Sequence, residues 1–168
     1  FAFLMPAIPD AVTTGGYKLA ALAARMTPGF VAQGLATPLG AGANFASPER
    51  REMIERHLQR VDPTLRGMRL RRASQQAFDF YARYWIESFR LPNLSKRTVD
   101  RGFSTVGYDR LVEAIDDGTG AIIALPHLGG WEWAGRWIAD QGHQITVVVE
   151  RLDPPELFEW FVDLRSRP

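Results

Sequence analysis

The chain has 168 residues, 46% of them hydrophobic and 23% charged, with a formal net charge of +1, enough for one domain with its own core. That near-neutral balance excludes nucleic-acid binding by bulk electrostatics, and the lack of cysteine excludes disulfides and thiolate metal sites while leaving the compartment open. No apolar run reaches the roughly 20 residues of a membrane span, and the opening FAFLMPAIPD is too short, and lacks the basic lead, for a signal peptide.

From Asp10 to Met26 the pattern is helical, with Tyr17, Leu19, Ala20, Leu22 and Ala23 apolar and Gly15-Gly16 as a weak point. Gly29 to Ser47 is rich in Gly and Ala and reads as a second apolar helix with breaks, Pro38 among them. Ser47-Pro48-Glu49 is a helix start, with a cap, a proline at the first helical position and an acid behind it. This helix is predicted to run to about Arg60. Asp62-Pro63 starts another that continues through Phe89, with room for an interruption, and Phe78, Tyr81, Trp85 and Phe89 recur in it at spacings of three or four. A short helix runs from Thr105 or Gly107 through Ile115 and is closed by Asp116-Asp117-Gly118.

The pattern then changes. Ala121 to Leu125 is a buried-strand run, Trp131 to Asp140 a helix, Ile145 to Val149 a second β-branched run, and Glu156 to Leu164 a helix. Strand, helix and strand in about 30 residues make a parallel βαβ unit with a right-handed crossover. The expected fold class is α/β: N-terminal helices leading into a central sheet with parallel βαβ units. Residues 1–101 form the mainly helical part and residues 102–168 the start of the α/β core of a single domain. The chain stops at LFEWFVDLRSRP, inside a predicted helix, and is expected to be the N-terminal part of a longer protein.

The segment Ala121 to Gly135, AIIALPHLGGWEWAG, carries the chemistry. Ligands gather at the carboxyl ends of strands in open α/β sheets, and His127 follows the first strand at once. On one continuous helix five residues turn the chain by about 500°, so His127 and Glu132 would not share a face. They meet only if His127 lies in the loop before the helix, a geometry that Pro126 and Gly129-Gly130 favour. Glu132 in the first turn also suits the positive end of the helix dipole. From there its carboxylate can hold one imidazole nitrogen and leave the other facing substrate. That is two thirds of a triad without a nucleophile on the protein. A substrate hydroxyl would be the third member, with His127 taking its proton and backbone N–H groups from Leu128 to Trp131 stabilising the oxyanion. The bland alternative is a loop histidine capping a helix beside a surface glutamate, and the spacing alone leaves both open.

HLGGWEWAG resembles the H-x-G-N-W-E signature of the lipid A lauroyl-type acyltransferases, within the wider glycerolipid acyltransferases that carry H-x4-D/E. The flanks agree: DRLVEAIDDGTGAIIALPH upstream matches the family's helix, charged Gly turn and strand. QGHQITVVVERLDPPELFEWFVDLR downstream matches its second strand, proline turn and helix ending in arginine. The likeness covers most of the chain, is strongest from about Gly102 to Arg165, and extends furthest to the mycobacterial branch that acylates phosphatidylinositol mannosides. It implies His127 as general base and Glu132 as its orienting partner. It also implies Glu150, at the end of the second strand, and Arg165 near the acceptor headgroup, where an arginine suits a phosphodiester. The implied reaction moves a fatty acyl chain, palmitoyl by analogy, from acyl-CoA as co-substrate to a mannose hydroxyl. No cofactor or metal is implied, and the implied site of action is the cytoplasmic face of the plasma membrane, bound peripherally. Gly130 stands where many relatives have asparagine. The family's second acidic motif, a glutamate usually followed by glycine, falls beyond Pro168 and is an alternative direct partner for the histidine, with Glu132 then supporting.

Other residues are weighed on the same terms. His143, in a Gly-containing turn, and His57, in a charged helix, read as solvated. Trp133 and Trp137 share one helix face and read as core, whereas Trp131 is the candidate groove wall beside His127. Arg66, Arg69, Arg71 and Arg72 read either as a solvated helix face or as a contact for anionic headgroups. An apolar face to accompany them on a membrane surface is offered by Phe1, Phe3, Leu4, Met5, Phe30, Val31 and Leu35. The competing functions are another lipid acyltransferase or an acyl-CoA thioesterase, and, from another class, a non-catalytic lipid-binding module. A βαβ nucleotide-binding protein is disfavoured because the turn lacks G-x-G-x-x-G.

Overall fold

The computed structural model describes residues 10–166. Phe1, Phe3, Leu4 and Met5 lie outside the described residues. Among the described residues the regular structure consists of helices and one 3-10 turn: α1 (Asp10–Met26), α2 (Gly29–Ala46), α3 (Pro48–Val61), α4 (Gly67–Arg90), the 3-10 turn Leu91–Asn93, α5 (Lys96–Arg101), α6 (Tyr108–Asp116), α7 (Trp131–Asp140) and α8 (Pro155–Ser166). The chain divides into two compact units. One runs up to Pro92 and resumes at Arg151; the other is Asn93–Glu150.

The first unit is organised on α4, against which α1, α2 and α3 pack. The interface with α2 is built from small residues four apart, Ala32, Ala36 and Gly40, all buried. This spacing lays one ridge of α2 along α4. α2 continues through Pro38 without the expected breaks. Packing along its small-residue face overrides the local cost of an interior proline, about 3 kcal/mol. A second cluster joins Ala21 of α1, Phe89 of α4 and Leu157, Phe161 and Leu164 of α8, with Tyr17, Trp85 and Trp160 packed against it. Two arginines tie the ends of α1 and α4 reciprocally. Arg25 Nε donates to the Phe89 carbonyl at 2.9 Å, and Arg90 Nη1 donates to the carbonyls of Ala24 and Thr27.

The helix predicted from Asp62-Pro63 begins only at Gly67. Asp62 Oδ1 instead accepts from the Thr64 amide at 2.9 Å and its hydroxyl at 2.6 Å, a local turn that competes with helix. The Thr64 side-chain bond, then its backbone bond, holds the Asp62 carboxyl below its ordinary range. Gly67 has φ +51°, a conformation open to glycine at no steric cost. Arg66, Arg69, Arg71 and Arg72 are exposed around this helix start.

In the second unit α5 packs against α7. The α/β expectation is overturned: among the described residues there is no strand, hence no central sheet and no parallel βαβ unit. Residues 121–126 and 143–150 have no regular structure, and Ile122 and Val148 are fully exposed. A continuous apolar run signals a strand only where neighbours pair with it and helices cover it. Two such runs alone would make at most a two-stranded pair, which is marginal. Glu150 therefore closes a segment without regular structure rather than a second strand.

Candidate active site

The turn that carries His127 is built by the backbone. The Leu128 amide donates to the Pro126 carbonyl at 2.7 Å, a three-residue turn with His127 at its apex. Gly129 follows at φ +59°, where a side chain would be strained. Gly130 then caps α7, and the Trp133 amide returns to the Gly130 carbonyl at 2.8 Å. His127 thus lies in an exposed loop at the N-terminal end of α7, where the helix dipole is positive.

Trp131 and Glu132 are the first two residues of α7, both half-buried. The Trp131 ring meets the His127 imidazole edge-on, with centroids 4.7 Å apart at 63°. The structure therefore brings His127 and Trp131 into contact and sets Glu132 in the adjoining helical turn. Glu150 is exposed at the end of the same unit. Arg165 belongs to the first unit, exposed in the last turn of α8, with its guanidinium carbon 5.4 Å from the centre of the Phe161 ring.

Behind this turn lies a set of contacts that periodicity did not reveal. Trp133 Nε1 donates to the Val99 carbonyl at 3.0 Å, and Trp137 Nε1 donates to Asp100 Oδ1 at 3.0 Å. Trp137 is buried, with Phe103 and Tyr108 each 4.9 Å away between ring centroids. The expectation of a core role for Trp133 and Trp137 matches this packing. His143 departs from the solvated reading: it is half-buried, and its Nε2 lies 2.6 Å from the Tyr108 hydroxyl. The short helix α5 has one local signal, Ser95, whose side chain accepts from the Thr98 amide as an N-cap. Among the described residues no three His, Cys, Asp or Glu side chains gather as a metal-binding cluster.

An imidazole at the apex of an exposed turn, with an aromatic wall against its ring and a carboxylate at the adjoining helix start, is a group whose chemistry allows it to accept a proton from a hydroxyl or water. The family model described as bacterial lipid A biosynthesis acyltransferase matches residues 11–168. The phosphatidylinositol mannoside acyltransferase of Mycolicibacterium smegmatis (strain ATCC 700084 / mc(2)155) is 38% identical over 159 residues, covering 92% of this chain and 50% of that protein. The phosphatidylinositol mannoside acyltransferase of Mycobacterium tuberculosis (strain ATCC 25618 / H37Rv) is 41% identical over 92 residues, covering 54% of this chain and 29% of that protein. The chain thus spans half the length of the first relative and less of the second. No solved structure is significantly similar to it.

Proposed function

The chain belongs to the bacterial lipid A biosynthesis acyltransferase family, and from that premise we propose that the protein transfers a fatty acyl chain from acyl-CoA to a mannose hydroxyl of a phosphatidylinositol mannoside. The observation that carries this reading is the turn itself: His127 at its apex, Trp131 against the ring and Glu132 in the first helical turn behind it. The names of the two relatives support the acceptor class.

In this reading one imidazole nitrogen of His127 takes the acceptor hydroxyl proton as that oxygen bonds to the thioester carbon. Glu132 orients the ring through its other nitrogen and favours the imidazolium. N–H groups at the start of α7 meet the developing oxyanion. The carbon–sulfur bond then breaks, and the imidazolium returns the proton to the departing thiolate, giving an ester and free CoA. Trp131 walls the site. Glu150 and Arg165 serve the acceptor headgroup, the arginine through its match to a phosphodiester.

The substrates are lipids, so the protein would work as a peripheral protein on the cytoplasmic face of the plasma membrane. No helix among the described residues is long and apolar enough to cross a membrane. The exposed side chains Leu22, Met26 and Phe30, the last 80% exposed, support attachment by an apolar face. Val31 and Leu35 are also more than a third exposed.

The test uses the full-length protein, palmitoyl-CoA, and vesicles with or without phosphatidylinositol mannoside, so that co-sedimentation reads membrane binding in the same samples. CoA release should depend on the acceptor, and His127→Ala should lower it by about 10²–10⁴-fold while the thermal midpoint stays near that of the parent. Release that ignores the acceptor would indicate a thioesterase or another acceptor. Vesicle binding without turnover from either protein would indicate a lipid-binding module.

A further inference from the structure

α7 carries Glu132 and begins against His127, so its rotation about its own axis sets where that carboxylate points. With side chains the helix has a radius of about 5–6 Å, so a rotation of about 20° moves a side-chain tip through about 2 Å. A misplacement of about 1 Å near reacting atoms costs about 10²-fold in rate. Something must therefore fix this rotation, and a side-chain cap at Gly130 does not supply it.

α5 supplies two fixed points. Trp133 and Trp137 are one turn apart on α7, and their indole N–H groups reach consecutive residues of α5, the Val99 carbonyl and Asp100 Oδ1, each at 3.0 Å. Two bonds separated along the axis fix both tilt and rotation, which one bond cannot do. Val99 is fully buried. Gly102, just past α5, completes the seat. A Cβ there would stand 3.0 Å from Trp133 Cζ2, and the ring cannot withdraw without stretching its bond to Val99. Its backbone, at φ −90°, makes no demand for glycine, so the close approach of the indole accounts for it.

We propose that α5 is the positioning element of the His127 site, with Trp133 and Trp137 as positioning residues whose indole N–H bonds set the rotation of α7 and so hold the Glu132 carboxylate toward the base. This rests on the acyl-transfer reading above.

The experiment is kinetic, on the full-length protein with palmitoyl-CoA and phosphatidylinositol mannoside. Trp133→Phe keeps a ring and removes the N–H. It should lower kcat by about 10–100-fold and leave KM for palmitoyl-CoA within about twofold, the mark of an interaction used in the transition state. Because the bond acts through Glu132, the loss should largely vanish in a Glu132→Gln background, whereas a general structural defect would add to it. Trp137→Phe makes the same prediction at the other bond, and serves if Trp133→Phe does not fold. Parental kcat in the folded indole variants, a change confined to KM, or additivity with Glu132→Gln overturns the inference. Turnover retained in His127→Ala overturns the acyl-transfer reading and the inference with it. Loss in His127→Ala beside parental turnover in Trp133→Phe overturns the inference alone.

Discussion

Glu87 is half-buried on α4, and burial raises its carboxyl above the ordinary carboxylate range, with Arg83 one turn earlier offsetting part of the effect. An acid whose folded pKa exceeds its unfolded one binds its proton more tightly when folded. Stability therefore falls as pH rises through the window from the unfolded to the folded value and is not regained above it. Glu87→Gln keeps the shape and removes the buried charge. It should raise the thermal midpoint at pH 7, and the gain should shrink as pH falls through the carboxylate range. Paired melting curves at pH 7 and pH 4 read this, and a lower midpoint at pH 7 would mean that the ionised carboxylate is held by more than Arg83. The site residues show why some side chains were legible in the sequence and others were not. His127, Trp131 and Glu132 lie within six residues, so a loop–helix junction was enough to place them together. Tyr108 and His143 meet across 35 residues, and no local pattern encodes such a pairing.

At the scale of elements, the same glycine substitution has opposite expected signs in one helix. Gly34 and Gly40 both lie within α2. A Cβ on Gly34 meets nothing within 4 Å, while one on Gly40 would stand 2.7 Å from both the backbone N and the Cα of Asp79 on α4. Gly34→Ala should stabilise by about 0.5–1 kcal/mol through helix propensity alone. Gly40→Ala has the same propensity gain but must push the two helices apart, and overpacking of this kind costs about 1–3 kcal/mol. Denaturant titration should give shifts of opposite sign, and a stabilising Gly40→Ala would show that α2 and α4 do not meet at this distance. Helix legibility followed periodicity and length. α1 and α7 were readable to their end residues because an apolar stripe is bounded by turn chemistry on each side. α5 was not foreseen because six residues hold too little of the 3.6 period to register. The start of α4 was misplaced because Asp62 reads equally as a cap or as the head of a turn. The two β-branched runs were misread because strand formation depends on partners elsewhere in the chain, and composition cannot supply them.

For the molecule as a whole, the chain leaves its first unit at Pro92 and returns at Arg151, so that unit is completed by a helix that comes after the entire second unit. The completing helix is α8. Leu157, Phe161 and Leu164 are all buried in the cluster with Ala21 and Phe89. The Phe161 ring lies 5.5 Å from Tyr17, edge-on, 6.0 Å from Trp85 and 4.9 Å from Trp160. Closing so distant a segment costs chain entropy that grows with the logarithm of loop length, and the aromatic burial must exceed it for α8 to remain docked. Phe161→Ala should therefore cost about 3–5 kcal/mol, because a ring packed on three sides leaves a cavity that the neighbouring rings cannot fill by small shifts. Denaturant unfolding of the full-length protein, followed by tryptophan fluorescence, reads this directly, since Trp85 and Trp160 both adjoin the removed ring. A loss within about 0.5 kcal/mol, the range of a surface change, would mean that α8 is not seated in the cluster. It would also mean that the first unit draws its stability from α1 to α4 alone.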